Sequence, residues 1–290
     1  MTYIHNDSMT NFHNIFSYSF KTGLQQWRIG LIVYLLQLCL ALTVGMQIYA
    51  VLEASIGHSL EINKLLQQYD HTVLTDFLSV HGASITPLIG QLRWLLPLWL
   101  LFSVFINGGM LYCAALPGQD SWRAFWQGGA AYFFPFLKIA LFFLSLALVW
   151  TVAVWLPVAA NLQPALEKFP SEKYVIWGVV LVAALWLAGL AGLFVWSVLS
   201  RLQCLQKGTS FVSSLKSSGR IFWNKKIRML GLLGGFAGLQ LLVSVGYWML
   251  EASGGMTSLL WVAVFFAIQQ VVIFIRILVR QMWYAGLAVA

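Results

Sequence analysis

Six stretches of this chain, residues 29–51, 92–116, 134–159, 174–199, 229–250 and 258–283, run long and apolar with hardly a charge. Crossing a bilayer takes roughly 20 predominantly apolar residues, and each stretch exceeds that. Barrel strands would instead alternate over roughly ten residues, so these are helices. The fold expected is an all-α integral membrane protein of six transmembrane helices in a single domain, 1–290. Composition agrees. Hydrophobic residues make up 60% and charged residues 9%, against roughly 25% charged in a soluble domain. Residues 1–20 have no basic n-region and no short apolar core, so the first span is expected to act as its own insertion signal.

The charges sort by side. If the N-terminus is cytoplasmic, the inner side receives Lys21, Arg28, Arg123, Lys138, Arg201, Lys207, Lys216, Arg220, Lys225, Lys226, Arg228, Arg276 and Arg280. The outer side keeps Lys64, Arg93, Lys168 and Lys173. The positive-inside rule therefore predicts that both termini are cytoplasmic. Trp27, Trp122, Trp126, Trp223 and Trp283 fall near the inner interface, and Trp94, Trp155, Trp177, Trp248 and Trp261 near the outer one, where an indole is best accommodated. Trp99, Trp150, Trp186 and Trp196 are expected to pack at depth. The net charge of +8 is thus a matter of topology, and no nucleic-acid partner is expected.

One short pattern recurs three times. Gly23 precedes Trp27, Gly129 precedes Phe133 and Gly219 precedes Trp223, each time by four residues and each time ahead of apolar runs. Apolar residues recur at three- and four-residue spacing before each glycine: Phe12, Phe16 and Phe20; Trp122, Phe125 and Trp126; and, more weakly, Phe211 and Leu215. Such segments lie in the interface plane with the apolar face down. The reading is three units, about 11–116, 120–200 and 205–290, each an interfacial helix followed by a hairpin of spans. The glycine would let the chain turn from lying flat to crossing, or let two helices approach. Ordinary linkers of chance similarity are the alternative.

The outer loop, 52–91, is the largest piece outside the bilayer. Ile62, Leu65, Leu66, Tyr69, Val73 and Phe77 form a helical stripe, with Ser59 as N-cap and Gly82 with Pro87 closing the segment. An amphipathic helix is expected there, on the membrane face or in the bundle mouth. His58, His71 and His81 lie in this loop with Glu61, Asp70 and Asp76, but their spacing matches no zinc motif, and no metal or cofactor is expected. Cys39, Cys113 and Cys204 form no CxxC pair and are expected to be buried free thiols.

Helix association in lipid relies on close packing, so small residues mark contact faces. Gly231 with Gly235, Gly234 with Gly238, Ala184 with Ala188 and Ala188 with Gly192 are candidate helix-packing pairs, within one chain or between copies. Asn107, Gly108 and Gly109 interrupt the second span, either as a kink or as a small-residue contact with Asn107 bonded to a neighbour. Polar groups at membrane depth are the candidates for function. The sixth span carries Gln269, Gln270, Arg276 and Arg280; the two arginines share a face. With Asn107 they form a candidate lipid- or anion-binding set, because a guanidinium fork suits phosphate. The competing reading is that the arginines snorkel to the interface. Arg220, Lys225, Lys226 and Arg228 are the densest positive patch, suited to an anionic leaflet. No catalytic constellation is present in the sequence, so the chain is not expected to be an enzyme.

The layout resembles a family of poorly characterised bacterial six-helix membrane proteins, related to the membrane domain found beside glycerophosphodiester phosphodiesterases. The resemblance rests on the glycine elbows at Gly23, Gly129 and Gly219 and on the closing segment from Arg276 to Gly286. It implies an accessory or assembly role in a bacterial inner membrane, near lipids, and carries over no catalytic residue. The function expected is a non-enzymatic membrane scaffold or accessory subunit that binds lipids or partner membrane proteins, including a second copy of the chain. The alternative is a transporter or permease-type subunit for an anionic or amphipathic substrate, which needs a polar path joining Asn107, Gln240, Gln269, Gln270 and Arg276.

Overall fold

The computed structural model describes residues 12–56, 71–116, 122–168, 172–208, 210–253 and 259–289, and no strand occurs among them. The helices are α1 (Phe12–Gln25), α2 (Trp27–Ile56), α3 (His71–Ala115), α4 (Trp122–Ala131), α5 (Phe133–Lys168), α6 (Glu172–Lys207), α7 (Phe211–Ser253) and α8 (Leu259–Val289). Six of them are long and apolar enough to cross a membrane: Trp27–Ala50, Arg93–Ala115, Phe133–Leu162, Lys173–Gln206, Phe211–Ala252 and Leu260–Val289. The chain is a multi-pass integral membrane protein. A continuous helix is the form that satisfies every backbone group without water. That is why Pro157 and Pro164 sit inside α5 without ending it.

The same physics corrects one expectation. Gly82 and Pro87 do not close a separate outer segment; α3 runs through both from His71 to Ala115. Proline removes one donor and crowds one carbonyl, which bends a helix more readily than it ends one when neither side offers the backbone another partner. The rest of the outer-loop stripe, with Ser59, lies outside the described residues, as do the side chains of His71, His81, Asp76, Val73 and Phe77.

The chain divides into two compact units, residues 31–103 and the remainder. In the smaller unit most side chains of α2 and α3 turn outward, among them Met46, Tyr49, Trp94, Leu96 and Trp99. Trp99 is 60% exposed, so it is not the packing residue expected. Cys39 is likewise exposed, whereas Cys113 and Cys204 are buried free thiols.

In the larger unit α5 and α6 run antiparallel. Trp150 Nε1 donates to the Trp186 carbonyl at 3.2 Å, and Trp186 Nε1 donates to Thr151 Oγ1 at 3.1 Å. A further pair, Phe143 edge-on to Trp196, lies farther back along α5 and farther on along α6. An indole N–H at depth is costly without an acceptor, and these two have one. Gly189 on α6 lets the Trp150 ring approach its backbone. α6 ends where Gly208 adopts φ +57° and its N–H reaches the Cys204 carbonyl at 3.1 Å, a left-handed helix stop that favours glycine. α7 and α8 meet along Phe236 and Gly286, and Gln240 Nε2 reaches the Arg276 carbonyl at 3.5 Å.

The short helices end abruptly. α1 breaks at Gln26 and α4 at Tyr132, each three residues after its glycine. The third amphipathic segment is fused to its span inside α7 and bends at Lys225, where φ is −117° and ψ is 18°. The turn is therefore not made at Gly23, Gly129 or Gly219 themselves.

Candidate functional site

What those glycines do is seat a short helix on a long one. A Cβ on Gly23 would lie 2.9 Å from the Met282 Cα of α8. One on Gly129 would lie 2.8 Å from Phe105 Cζ and 3.1 Å from its carbonyl on α3. One on Gly219 would meet the Trp196 ring of α6 at 3.4 Å. One turn further on, Gly286 of α8 faces Ser19, Gly109 of α3 faces Phe125, and Ser200 of α6 hydrogen-bonds Ser218 at 2.8 Å. Three long helices thus present a matched pair of positions, four residues apart, to three short ones. The Asn107-Gly108-Gly109 run is explained by this seat: a Cβ on Gly108 would lie 3.4 Å from the Gly129 Cα.

Side chains fasten the seats. Gln26, at the first break, donates through Nε2 to the Cys113 carbonyl of α3 at 3.1 Å. Gln281 of α8 donates to Gln26 Oε1 at 2.9 Å. Both glutamines are buried, so this chain of bonds ties three elements with little competition from water. On α6, Trp196 Nε1 donates to Ser218 Oγ at 3.1 Å and Ser200 donates to its own Trp196 carbonyl at 2.8 Å. At the second break, burial, followed by Tyr112 and Cys204, pushes the Tyr132 phenol above its ordinary range. It is therefore neutral at physiological pH.

Counting five residues on from Phe105, Trp196 and Met282 reaches Met110, Arg201 and Leu287. All three are buried, at 0%, 9% and 3% exposure. A guanidinium stands where the other two helices place thioether and aliphatic carbon. Arg201 has no hydrogen bond or ion pair among the described residues, and its Nε is sealed from solvent without a partner. The Tyr284 hydroxyl donates to Asn107 Oδ1 at 2.8 Å. One turn earlier on α8, Arg280 Nη2 donates to the Met110 sulfur at 3.2 Å, while its own Nε is buried and unpartnered. A thioether is a weak acceptor. The larger unit's described acids, Glu167, Glu172 and Glu251, lie at the opposite ends of their helices. Glu172 is about 40 Å from Arg201 along α6 at roughly 1.5 Å per residue. Removing an ion from water costs several kcal/mol unless charge and hydrogen bonds compensate.

Of the residues singled out in the sequence, the structure joins Asn107 of α3 to Tyr284 of α8 and Arg280 of α8 to Met110 of α3. Arg276 and Gln269 are exposed and Gln270 is half-buried. Arg220, Lys225 and Lys226 are exposed, with Arg228 half-buried; Lys226 Nζ lies 4.6 Å over the Trp223 ring. Among the small-residue pairs, Gly231, Gly234, Gly235 and Gly238 face outward, and a Cβ on Gly234 or Gly238 would meet nothing within 4 Å. Ala184 and Ala188 are exposed as well, and Gly192 is half-buried beside Phe222. These stripes are therefore not where the described chain packs tightly against itself. Arg201, Tyr284, Gln26 and Gln281 were not legible as site residues. The one signal for Arg201 is its place near the C-terminal end of the apolar span Lys173–Gln206. The chain matches no protein-family model, no curated protein and no solved structure.

Proposed function

We propose that this protein is a non-enzymatic scaffold or accessory subunit of a bacterial inner membrane, binding anionic lipids and partner membrane proteins. In this reading it consists of three interfacial-helix-plus-hairpin units with both termini cytoplasmic. The observation that carries it is the common seating of three amphipathic segments, α1, α4 and the first part of α7, on α8, α3 and α6 in turn. Each seat uses a glycine, and each short helix rests on the span that precedes it, α1 doing so on the last span, so that the order closes on itself. The exposed cations Lys21, Arg28, Arg123, Lys216, Arg220, Lys225 and Lys226 lie on or beside these short helices. Near an anionic leaflet each contributes roughly 1 kcal/mol of attraction. The outward glycines of α7 leave a face where another helix can approach closely.

The carrier alternative requires Asn107, Gln240, Gln269, Gln270 and Arg276 to line one path. The outward positions of Gln269 and Arg276, and the capping of Asn107 by Tyr284, favour the scaffold. The test is affinity purification from native membranes with lipids retained. A stoichiometric second membrane polypeptide, lost on Gly234→Leu or Gly238→Leu, supports the scaffold. Solute uptake abolished by Arg276→Ala and Gln270→Ala contradicts it.

A further inference from the structure

We infer that the first part of α7, from Phe211 to Asn224, is a hinged strap that opens from α6 while the other two amphipathic segments stay seated. The strap goes beyond the scaffold reading and does not rest on it. The register of the seat comes first. Phe222 lies over Gly192, where an added Cβ would stand 3.7 Å from its ring. Trp196 Nε1 donates to Ser218 Oγ at 3.1 Å, and the Ser200 and Ser218 hydroxyls bond at 2.8 Å. Ser217 donates to Gln203 Oε1 at 3.4 Å. One turn on from Ser200 and one turn back from Ser218, the buried Cys204 thiol and the buried Ser214 hydroxyl are hydrogen-bonded. The two helices thus close antiparallel along polar side chains.

This seat is built to separate. The side chains that the strap fully buries are Ser214 and Ser218, whereas α1 buries Ile15 and α4 buries Phe125, both at 0% exposure. Apolar burial holds elements together more firmly than hydroxyl pairing does, because water replaces a hydroxyl's partner. The glycine contact is also the loosest of the three: a Cβ on Gly219 would meet a ring at 3.4 Å, against 2.9 Å from a backbone atom at Gly23. Each hydroxyl keeps an acceptor in its own helix. Ser200 donates to the Trp196 carbonyl at 2.8 Å, Ser217 to that of Ser214 at 3.2 Å and Ser218 to that of Leu215 at 3.0 Å. Opening therefore strands no hydroxyl proton. The hinge is Lys225, where helical dihedrals are already interrupted, and α6 has stopped at Gly208 before the strap begins. Val212, Lys216, Arg220 and Trp223 are exposed and leave the outer side of the strap open; at its start Phe211 meets Phe142 of α5 edge-on at 5.9 Å. Opening uncovers Ser200, Gln203 and Cys204, hydrogen-bonding groups of the kind that join helices in lipid.

The test is timed alkylation of the full chain in detergent with N-ethylmaleimide, with peptide mass spectrometry reading Cys204 and Cys113 separately. Cys113 is 0% exposed on α3 and its carbonyl is held by Gln26, so its thiol reports global unfolding. Each rate is divided by that of the same thiol in the unfolded chain. A local opening lies below the global unfolding free energy, so Cys204 should react roughly tenfold or more faster than Cys113. Ser218→Ala removes a hydrogen-bond partner from both Trp196 and Ser200 and should speed Cys204 about threefold or more without changing Cys113. Equal normalised rates at the two thiols overturn the strap. So does a Ser218→Ala variant that leaves Cys204 unchanged or speeds both thiols alike. Should that variant fail to fold, the wild-type comparison decides alone.

Discussion

At the residue scale, two kinds of glycine behave oppositely. Gly23 sits against the Met282 backbone, whereas a Cβ on Gly238 would enter open space. Gly23→Ala is therefore expected to destabilise the protein by about 1–3 kcal/mol, the usual cost of forcing atoms into a packed contact. Gly238→Ala should stay within about 0.5 kcal/mol. Denaturant titration of the two variants in detergent checks this, and equal effects would mean that the seat is misplaced. Gln281 links to Gln26, which in turn holds the Cys113 carbonyl. Gln281→Ala leaves Gln26 Oε1 buried without that donor and should cost about 1–3 kcal/mol, measured the same way. The sequence held the glycine spacing but could not separate these roles. A GxxxG stripe and a single elbow glycine look alike until it is known which face meets another backbone. Buried glutamines are equally opaque, because nothing local distinguishes Gln26 from Gln25.

At the element scale, the six spans were readable because a long apolar run has one physical outcome in lipid. Their ends were less so. The third amphipathic segment joins its span through a bend at Lys225, which its weaker stripe did not announce. α3 continues through Gly82 and Pro87, because those residues weaken a helix without replacing its backbone partners. α1 is the element whose seat lies farthest away in sequence. It packs on α8 through Gly23 and Ser19, and its Phe16 stacks on Phe236 of α7 at 4.8 Å. Removing residues 1–25 should therefore uncover Met282, Gly286 and Phe236. The expected outcome is a lower thermal midpoint in detergent and faster proteolysis near the end of α8, where a dispensable extension would change neither.

At the scale of the whole molecule, the proposed orientation rests on the sorting of charge. Reporter fusions at the two ends should both read as cytoplasmic, and reversing the bias would require neutralising many of the cations around the short helices. The buried guanidinium of Arg201 was invisible from the sequence, which counted it as one more inner-side charge. It occupies the buried position on α6 that Met110 holds on α3 and Leu287 on α8. The scaffold account is tested most directly by native mass spectrometry of the protein extracted with its own lipids. It predicts a stoichiometric second membrane polypeptide, with anionic phospholipid retained. A lone chain holding a small water-soluble anion that is lost on Arg276→Ala would contradict it and make the protein a carrier.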